Sequence, residues 1–292
     1  MDLRNCAAKC KNKKENGNCK ISASDKLPVQ CVGQWVEDKY FYLERYLDAT
    51  WQARRKFSDK GNAVFIDLFS GSGKCFIREE KREIDSGGIK ALKRDKAWFN
   101  EFFYLDIDKS NTEALKKRID NQINCHIHCG NSNILVKSLA IELLKKPYRY
   151  HFAFVDPFGP DGLKFATITE LAKLKRMDLL IHFPIGAIKR NLGKWTNKKG
   201  TILDEFLGTD KWREEIKNTP KGKVLKVLTD IFEKQLSSCG YPVFSSGLRS
   251  ISIKNTNKVD LYTLFLLSKH PLAHKIWNSI IKTSPRGERD LL

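Results

Sequence analysis

Residues 64–73, with the sequence VFIDLFSGSG, decide the fold of this 292-residue chain. The first half of the stretch is a short, almost continuous apolar run, which is typical of a buried parallel strand. The second half is a glycine-rich turn. In open α/β sheets the ligand lies beyond the carboxyl ends of the strands. The stretch therefore predicts the first strand of a sheet with a ligand site at its end.

Similar apolar runs recur along the chain with helical patterns between them. Further buried strands are predicted at residues 102–105, 124–129, 152–155 and 178–183. Strands that alternate with helices at this spacing predict a doubly wound parallel sheet. Residues 248–253 and 259–267 read as two more strands, and the short turn between them makes that pair antiparallel.

The predicted fold class is therefore α/β, a doubly wound Rossmann-like sheet of the methyltransferase kind. It is mainly parallel and ends in a C-terminal antiparallel hairpin, whereas dinucleotide-binding Rossmann sheets keep all strands parallel. The predicted divisions are a Cys-rich N-terminal module at 1–31, an N-terminal helix at 32–60, a Rossmann-like cofactor-binding core at 61–184, a basic helical insertion at 185–238, and a C-terminal hairpin and helix at 239–292 that complete the sheet.

The turn after the first strand predicts a cofactor site. Gly71 and Gly73 let backbone approach a ligand closely, and Phe69 lies between them and the strand. Asp67 places a carboxylate where it can order the loop and attract an ammonium group. This pattern favours S-adenosylmethionine, and its alternative is an ordinary glycine turn.

A nucleotide cofactor also needs an acceptor for its ribose hydroxyls at the tip of the second strand. Asp106 directly follows the second apolar run and is preferred over its competitor, Asp108. After the third strand, Asn131 stands where such folds place a polar side chain against adenine. The alternative for Asn131 is an N-cap of the next helix.

The fourth strand ends in the sequence FVDPFGP at residues 154–160. Methyltransferases that act on exocyclic amines of bases carry an acid or amide, two prolines and an aromatic residue there. Asp156, Pro157 and Phe158 match this pattern except for the second proline. They could hold an amine and stack a base, serve another acceptor, or form a plain Asp-Pro turn. His182 closes the fifth strand and either assists with a proton or is structural.

Four cysteines lie in the first 31 residues, at Cys6, Cys10, Cys19 and Cys31. Four thiolates suffice for a zinc site or, less favoured, an iron–sulfur cluster, although the paired Cys-x2-Cys spacing is absent. Unbound reduced cysteines are the alternative. The N-terminus is polar and has no apolar run, which predicts a cytoplasmic protein without signal peptide or membrane span.

The chain has 53 Lys and Arg against 34 Asp and Glu, a formal charge of +19. Such an excess predicts a polyanionic partner, RNA or DNA, against the alternative of a merely solvated lysine-rich surface. Several basic residues surround one tryptophan in the segment after the fifth strand. This pattern is typical of a nucleic-acid contact, with cations for phosphates and an aromatic ring for stacking; the alternative is a solvated loop. These residues are Lys189, Arg190, Lys194, Trp195, Lys198 and Lys199.

With these motifs in place, the chain resembles the three-Cys-motif partner (TcmP) family of bacteria and phages. The resemblance rests on VGQWVEDKYFYLERYL at 32–47, IDLFSGSG, FVDPFGP and LYTLFLLSKHPLAHKIW at 261–277. It implies a Rossmann-like methyltransferase fold and a protein partner that carries a three-cysteine, radical-SAM-like motif. It does not supply a substrate.

The sequence thus predicts an S-adenosylmethionine-dependent methyltransferase that acts on a nucleic-acid base, with an exocyclic amine as one acceptor. The alternative is a non-catalytic Rossmann-like module that binds nucleic acid or assists a partner enzyme.

Overall fold

A computed structural model of the chain describes residues 18–94, 99–120, 122, 124–242, 250–255 and 258–285. The strands are β1 (Lys20–Ile21), β2 (Pro28–Val32), β3 (Ala63–Asp67), β4 (Lys74–Ile77), β5 (Arg82–Asp85), β6 (Glu101–Asp106), β7 (Cys125–Cys129), β8 (Tyr150–Val155), β9 (Met177–Phe183), β10 (Ser250–Lys254) and β11 (Asp260–Leu267). The helices are α1 (Trp35–Ala49), α2 (Trp51–Ser58), α3 (Gly87–Lys93), α4 (Lys109–Arg118), α5 (Ser132–Leu144), α6 (Phe165–Ala172), α7 (Ile185–Thr196), α8 (Ile202–Leu207), α9 (Trp212–Lys217), α10 (Val224–Ser238) and α11 (Pro271–Ile280). Within the described residues, no helix combines the length and the apolar character needed to cross a membrane.

The larger sheet has seven strands in the order β10-β11-β9-β8-β3-β6-β7. Strands β7, β6, β3, β8 and β9 run parallel to one another, and β11 is antiparallel to both of its neighbours. The chain builds outward from β3 first on one side and then on the other, so the strand order reverses between β3 and β8. The predicted Rossmann-like sheet with its C-terminal hairpin is confirmed.

Alternation along β3 shows why helices cover both faces of this sheet. Side chains of successive strand residues point to opposite faces. Val64 and Ile66 pack with buried residues of α5 and α6, whereas Ala63 and Phe65 pack with those of α1, α4 and α11. Because β3 is buried on both faces, it reads as a continuous apolar run in the sequence.

A second sheet of four short strands, in the order β1-β2-β4-β5, was not predicted. Its strands are two to five residues long, and β1, β4 and β5 contain charged residues and β2 a glutamine, so no long apolar run marks them. Its centre is a parallel pairing of β2 with β4, in which Gln30 lies beside Cys75. The predicted boundary at residue 31 falls inside β2.

Two of the helices between β9 and β10 are joined by Asp204. Its carboxylate completes a capping box with Thr201 at the start of α8. The same carboxylate accepts from Nε1 of Trp212 at 2.6 Å and from Nη1 of Arg213 at 2.6 Å. Trp212 is fully buried. One side chain therefore joins α8 to α9.

We expect Asp204→Ala to lower the free energy of unfolding by about 2–4 kcal/mol, because it leaves a buried indole N–H without its acceptor and the guanidinium of Arg213 without its carboxylate partner. Urea unfolding followed by circular dichroism measures this loss. Asp230→Ala is the matched control, since Asp230 pairs with Lys226 at the surface of α10, where such a pair contributes at most about 0.5 kcal/mol. Equal losses in the two variants would contradict the joining role of Asp204.

Candidate functional site

A cavity of about 330 Å³ opens at the carboxyl edge of the parallel strands. Its wall contains residues at or just beyond the ends of β3, β6, β8 and β9. The strand order reverses between β3 and β8, which is where ligands bind in open α/β sheets. The volume is also typical of small-molecule sites. This cavity is therefore the candidate functional site.

The loop after β3 forms one wall of the cavity. Asp67, Phe69 and Gly71, three of the residues predicted to bind a cofactor, line it. Gly71 has a φ of 60°, a conformation that residues with a side chain rarely adopt. Its backbone N–H donates to Oδ2 of Asp106 at 2.9 Å. The loop is thereby tied to the end of the neighbouring strand.

Gly73 differs in position from the other predicted cofactor residues. It is not among the residues that line the cavity. Its φ is 87°, and a Cβ at this position would lie 2.9 Å from Cδ1 of Leu115 and 3.3 Å from Cγ1 of Ile89. The glycine is explained by the close packing of α3 and α4 against the loop, in place of the predicted contact with a cofactor.

Asp106 forms the next part of the wall at the end of β6. Its Oδ1 accepts from the backbone N–H of Asp108 at 2.8 Å and from Nδ2 of Asn111 at 3.0 Å. Burial raises the pKa of Asp106. The competitor Asp108 caps α4, since its carboxylate accepts from the backbone N–H of Ser110 at 2.7 Å. Both Asp106 and Asp108 line the cavity, but the carboxylate of Asp108 is engaged in capping α4.

Asn131 lies in the cavity wall and is also the N-cap of α5. Its Oδ1 accepts from the backbone N–H of Asn133 at 2.9 Å. The capping role considered for this residue from its sequence is thus present. The cap uses one lone pair of Oδ1, so the other lone pair and the amide nitrogen are the groups that could contact an adenine.

Asp67 is a buried acid, with 2% of the residue exposed. Burial raises the pKa of Asp67 to about 8, against the hydrogen bond donated by the backbone N–H of Phe69. The nearby carboxylates of Asp156 and Asp106 act in the same direction as burial. The carboxyl group is therefore largely protonated near neutral pH until a cation lies beside it.

Asp156 follows β8, and its pKa is shifted in the opposite direction, below the ordinary value. Its Oδ2 accepts from Nζ of Lys39 at 2.5 Å, and its Oδ1 lies 2.8 Å from Nδ1 of His182. Burial alone would raise the pKa of Asp156, but the charge of Lys39 and the hydrogen bond from His182 outweigh it and lower the pKa to about 2. Asp156 is thus an ionised carboxylate with both oxygens engaged.

Lys39 was missed by reasoning from the sequence. It lies on α1 and shares the buried face of that helix with Val36, Leu43 and Tyr46. The residue is only 9% exposed, and its Nζ lies 5.7 Å from the ring centre of Tyr262. A lysine on the apolar stripe of an amphipathic helix is the signal that could have found it, because a buried ammonium needs a buried partner.

His182 lies near the end of β9 and lines the cavity. Its ring centre is 4.1 Å from that of Tyr262. Its Nε2 is buried and has no hydrogen-bond partner among the residues that the structure describes. Burial lowers the pKa of His182, although Asp156 acts in the opposite direction. The imidazole is therefore neutral near pH 7.

Pro157 and Phe158 complete this side of the cavity. Pro157 is buried, whereas Phe158 is 44% exposed. An aromatic ring that is both exposed and part of a cavity wall offers a surface for another planar ring to stack on.

The predicted basic segment forms most of α7 and the loop after it. Arg190 lines the cavity. Trp195 is half-buried and packs against the core, and its carbonyl oxygen accepts from Nη2 of Arg213 at 3.1 Å. The indole is thus partly a packing group, and nucleic-acid binding by the segment stays a prediction. The four lysines of the segment are exposed: Lys189, Lys194, Lys198 and Lys199.

Of the four cysteines predicted to bind metal, Cys6 and Cys10 lie outside the described residues. Cys19 is buried, and Cys31 is half-buried on β2. In the part of the chain that the structure describes, no three His, Cys, Asp or Glu residues are grouped so as to hold a metal ion. Zinc therefore stays a prediction.

No protein-family model and no curated protein matches the chain. Solved structures do match at low identity. Protein LPL1258 of Legionella pneumophila is 9% identical over 87% of this chain and 94% of its own, with a TM-score of 0.49. A SAM-dependent methyltransferase of Anabaena variabilis is 11% identical over 80% and 94%, with a TM-score of 0.35. The match to the candidate methyltransferase yhhF of Escherichia coli is 16% identical, with a TM-score of 0.29, and covers 41% of this chain and 59% of that one.

Several of the matching structures are thus SAM-dependent methyltransferases. The TcmP family is not shown by these comparisons, so that resemblance stays a prediction, as does the radical-SAM-like partner.

The raised pKa of Asp67 predicts a specific pH dependence of stability. The folded state favours the protonated acid, so the stability that this group contributes is complete below its ordinary pKa of 3.8 and is lost as pH rises through about 8. We expect Asp67→Asn to be more stable than the native chain at pH 8.5, by an amount several kcal/mol larger than at pH 5, since one pKa unit corresponds to ~1.4 kcal/mol. Urea unfolding at both pH values measures the difference.

The control for this experiment is Asp59→Asn, because Asp59 is exposed and pairs only with Arg55 on α2. It should leave the pH dependence unchanged. The same dependence in the native chain and in Asp67→Asn would show that burial does not keep Asp67 protonated.

Proposed function

We propose that this chain is an S-adenosylmethionine-dependent methyltransferase that acts on nucleic acid. The proposal rests on one cavity whose two sides carry acids in different protonation states. Asp67 and Asp106 lie on one side, at the ends of β3 and β6, and Asp156 lies on the other, beyond β8. The cofactor occupies the first side and the acceptor the second, so that they meet where the strand order reverses.

The chemistry of the first side fits S-adenosylmethionine. Asp67 would accept the ammonium group of the methionine part, and that positive charge would favour ionisation of an otherwise protonated acid. Asp106 would accept the ribose hydroxyls at the position where nucleotide-binding sheets carry an acid. Phe69 adds apolar surface. When bound, the cofactor supplies a methyl group on a positively charged sulfur.

The second side favours a polyanionic acceptor with planar bases. Two guanidinium groups, of Arg78 and Arg190, line the cavity, where the ammonium of Lys39 is paired with Asp156. The guanidinium of Arg78 lies 4.9 Å over the ring of Trp35. Phosphates are attracted by such cations, and a base can stack on Phe158. The overall charge of +19 acts in the same direction.

The chain's own residues would act mainly through orientation. The contact between Gly71 and Asp106 fixes the cofactor side, and the pair of Lys39 with Asp156 fixes the acceptor side. Direct transfer between two held reactants gains ~7–11 kcal/mol in favourable intramolecular reactions. Proper placement therefore supports a useful rate.

We expect Gly71→Arg to weaken binding of S-adenosylmethionine about tenfold or more, or ~1.4 kcal/mol. The long side chain would fill the cavity and the backbone would be strained at positive φ. Isothermal titration calorimetry measures the affinity.

Gly61→Arg separates these two effects, because Gly61 also has a positive φ, 69°, and nothing lies within 4 Å of a Cβ placed there. This control should be strained equally but should bind the cofactor normally. If the native chain itself does not bind S-adenosylmethionine, the non-catalytic module becomes the better hypothesis.

A second prediction concerns nucleic-acid binding by the basic segment. Charge reversal of Lys194, Lys198 and Lys199 to Glu should weaken binding and lower the slope of log Kd against log salt by about 3, because each lost phosphate contact changes the slope by roughly 0.9. Fluorescence anisotropy with labelled RNA and DNA oligonucleotides measures both.

The matched control is reversal of Lys145, Lys146 and Lys175, exposed lysines that precede β8 and β9 at the opposite edge of the sheet. It changes the net charge by the same amount. Equal weakening in the two triple variants would leave the segment after β9 with no special role.

A further inference from the structure

The carboxylate of Asp156 is engaged by two nitrogen groups of the chain. One oxygen accepts from Nζ of Lys39 at 2.5 Å, and the other lies 2.8 Å from Nδ1 of His182. These contacts occupy two of the roughly four lone-pair sites of a carboxylate. Asp156 thereby positions two side chains of the protein, and the atoms that Lys39 and His182 present to the cavity can serve the acceptor.

His182 presents a hydrogen-bond acceptor. Because Asp156 is ionised and paired with Lys39, Nδ1 of His182 donates its proton to Oδ1, and Nε2 carries the lone pair. Nε2 is buried and has no partner among the described residues. A buried polar atom without a partner costs free energy, so it marks a place where a ligand group can bind. The group that satisfies a bare imidazole nitrogen is an O–H or N–H donor.

Lys39 presents the complementary donor. An ammonium has three N–H groups, and Asp156 accepts one of them. Lys39 lies in the same cavity wall as His182 and Tyr262. A hydroxyl oxygen placed between the two nitrogen groups could accept from Lys39 while its proton points to His182.

We propose that the acceptor is the ribose 2′-hydroxyl of RNA and that His182 takes its proton, with Asp156 and Lys39 as positioning residues. This inference rests on the proposed methyltransferase function. An alcohol is a weak nucleophile and gains from a base that removes its proton during attack. Internal nucleotides of DNA carry no free hydroxyl, so the inference selects RNA.

Atoms and charge balance in the proposed methyl transfer. A lone pair of the hydroxyl oxygen forms the O–CH3 bond, and the S–CH3 bond breaks with its electron pair left on sulfur. The hydroxyl proton passes to Nε2 of His182. The products are a neutral thioether, a 2′-O-methyl ribose and an imidazolium that the ionised Asp156 stabilises.

Burial lowers the pKa of His182; Asp156, at the end of β8, raises it and Lys39 of α1 lowers it. Tyr262 of β11 packs against the imidazole, and Arg190 of α7 lines the same cavity. Because Nε2 is buried, the acceptor must displace part of the packing against Tyr262 to reach it.

The first experiment identifies the product. The full chain is incubated with RNA and S-adenosylmethionine that carries a labelled methyl group, and the RNA is then hydrolysed with alkali. We expect the label in alkali-stable dinucleotides, since a 2′-O-methyl group blocks cleavage there. Label in mononucleotides would mean base methylation, which overturns the hydroxyl acceptor but leaves the proposed function standing. If the protein binds the cofactor but the RNA carries no label, the hydroxyl acceptor is likewise overturned. If the protein does not bind the cofactor, the proposed function itself is overturned.

The second experiment tests His182 without cofactor or turnover. In the full chain with ¹⁵N-labelled histidine, and with His182→Gln to assign the signals, we expect Nδ1 to be protonated and Nε2 bare at pH 7. Lys39→Met should raise the pKa of His182 because it removes a nearby positive charge. A proton on Nε2, or an unchanged pKa in Lys39→Met, would contradict the arrangement.

Measurements of turnover distinguish His182 acting as a base from His182 acting only in the structure. His182→Gln should lower kcat by about 100-fold or more, leave the affinity for S-adenosylmethionine unchanged, and remove the acid limb of the pH–rate profile. His151→Gln is the matched control, because its ring nitrogens are also buried without a hydrogen-bond partner in the described part of the chain, but it lies near the start of β8 and is not among the residues that line the cavity. Equal effects of the two substitutions would assign His182 a structural role.

Discussion

Three acids meet at one edge of the sheet, and the candidate site depends on how their charges are accommodated. Asp67, Asp106 and Asp156 all line one cavity. Like charges at close range in a poorly solvated place cannot all ionise without compensation. Lys39 and His182 resolve the conflict for Asp156, whose pKa they lower, whereas burial raises the pKa values of Asp67 and Asp106.

This division gives each acid a different chemical use. An acid that stays protonated until a cation arrives, as Asp67 does, suits a site for a charged ligand and costs stability at alkaline pH. A carboxylate that is ionised throughout, as Asp156 is, can hold an imidazole in one tautomer. Groups whose surroundings move their pKa values apart take different roles within one active site. The asymmetry between the two sides of the cavity thus follows from the burial of the acids and from the two nitrogen groups, of Lys39 and His182, that contact Asp156.

Sequence reasoning found those parts of the site that a general rule of the fold fixes. The strands that are buried on both faces are visible as apolar runs, and acids directly after them, such as Asp67 and Asp156, must lie at the ligand-binding edge. Lys39 and Tyr262 come from a helix before the sheet and a strand near its end. The sequence around each of these two residues does not indicate which strand ends its side chain will contact. The four-stranded sheet was missed because its short strands, which contain polar or charged residues, depend on pairing between distant segments.

The terminal hairpin contributes to the site through its direction. In a parallel strand the last residues reach the carboxyl edge of the sheet, but β11 runs antiparallel to β9 and therefore brings its first residues there. Leu261 and Tyr262, at the start of β11, line the cavity, and Tyr262 packs against His182. A parallel strand in the same place would put these residues at the opposite edge. The antiparallel strand that distinguishes this sheet from an all-parallel one thus supplies the aromatic wall beside the Asp156–His182 pair.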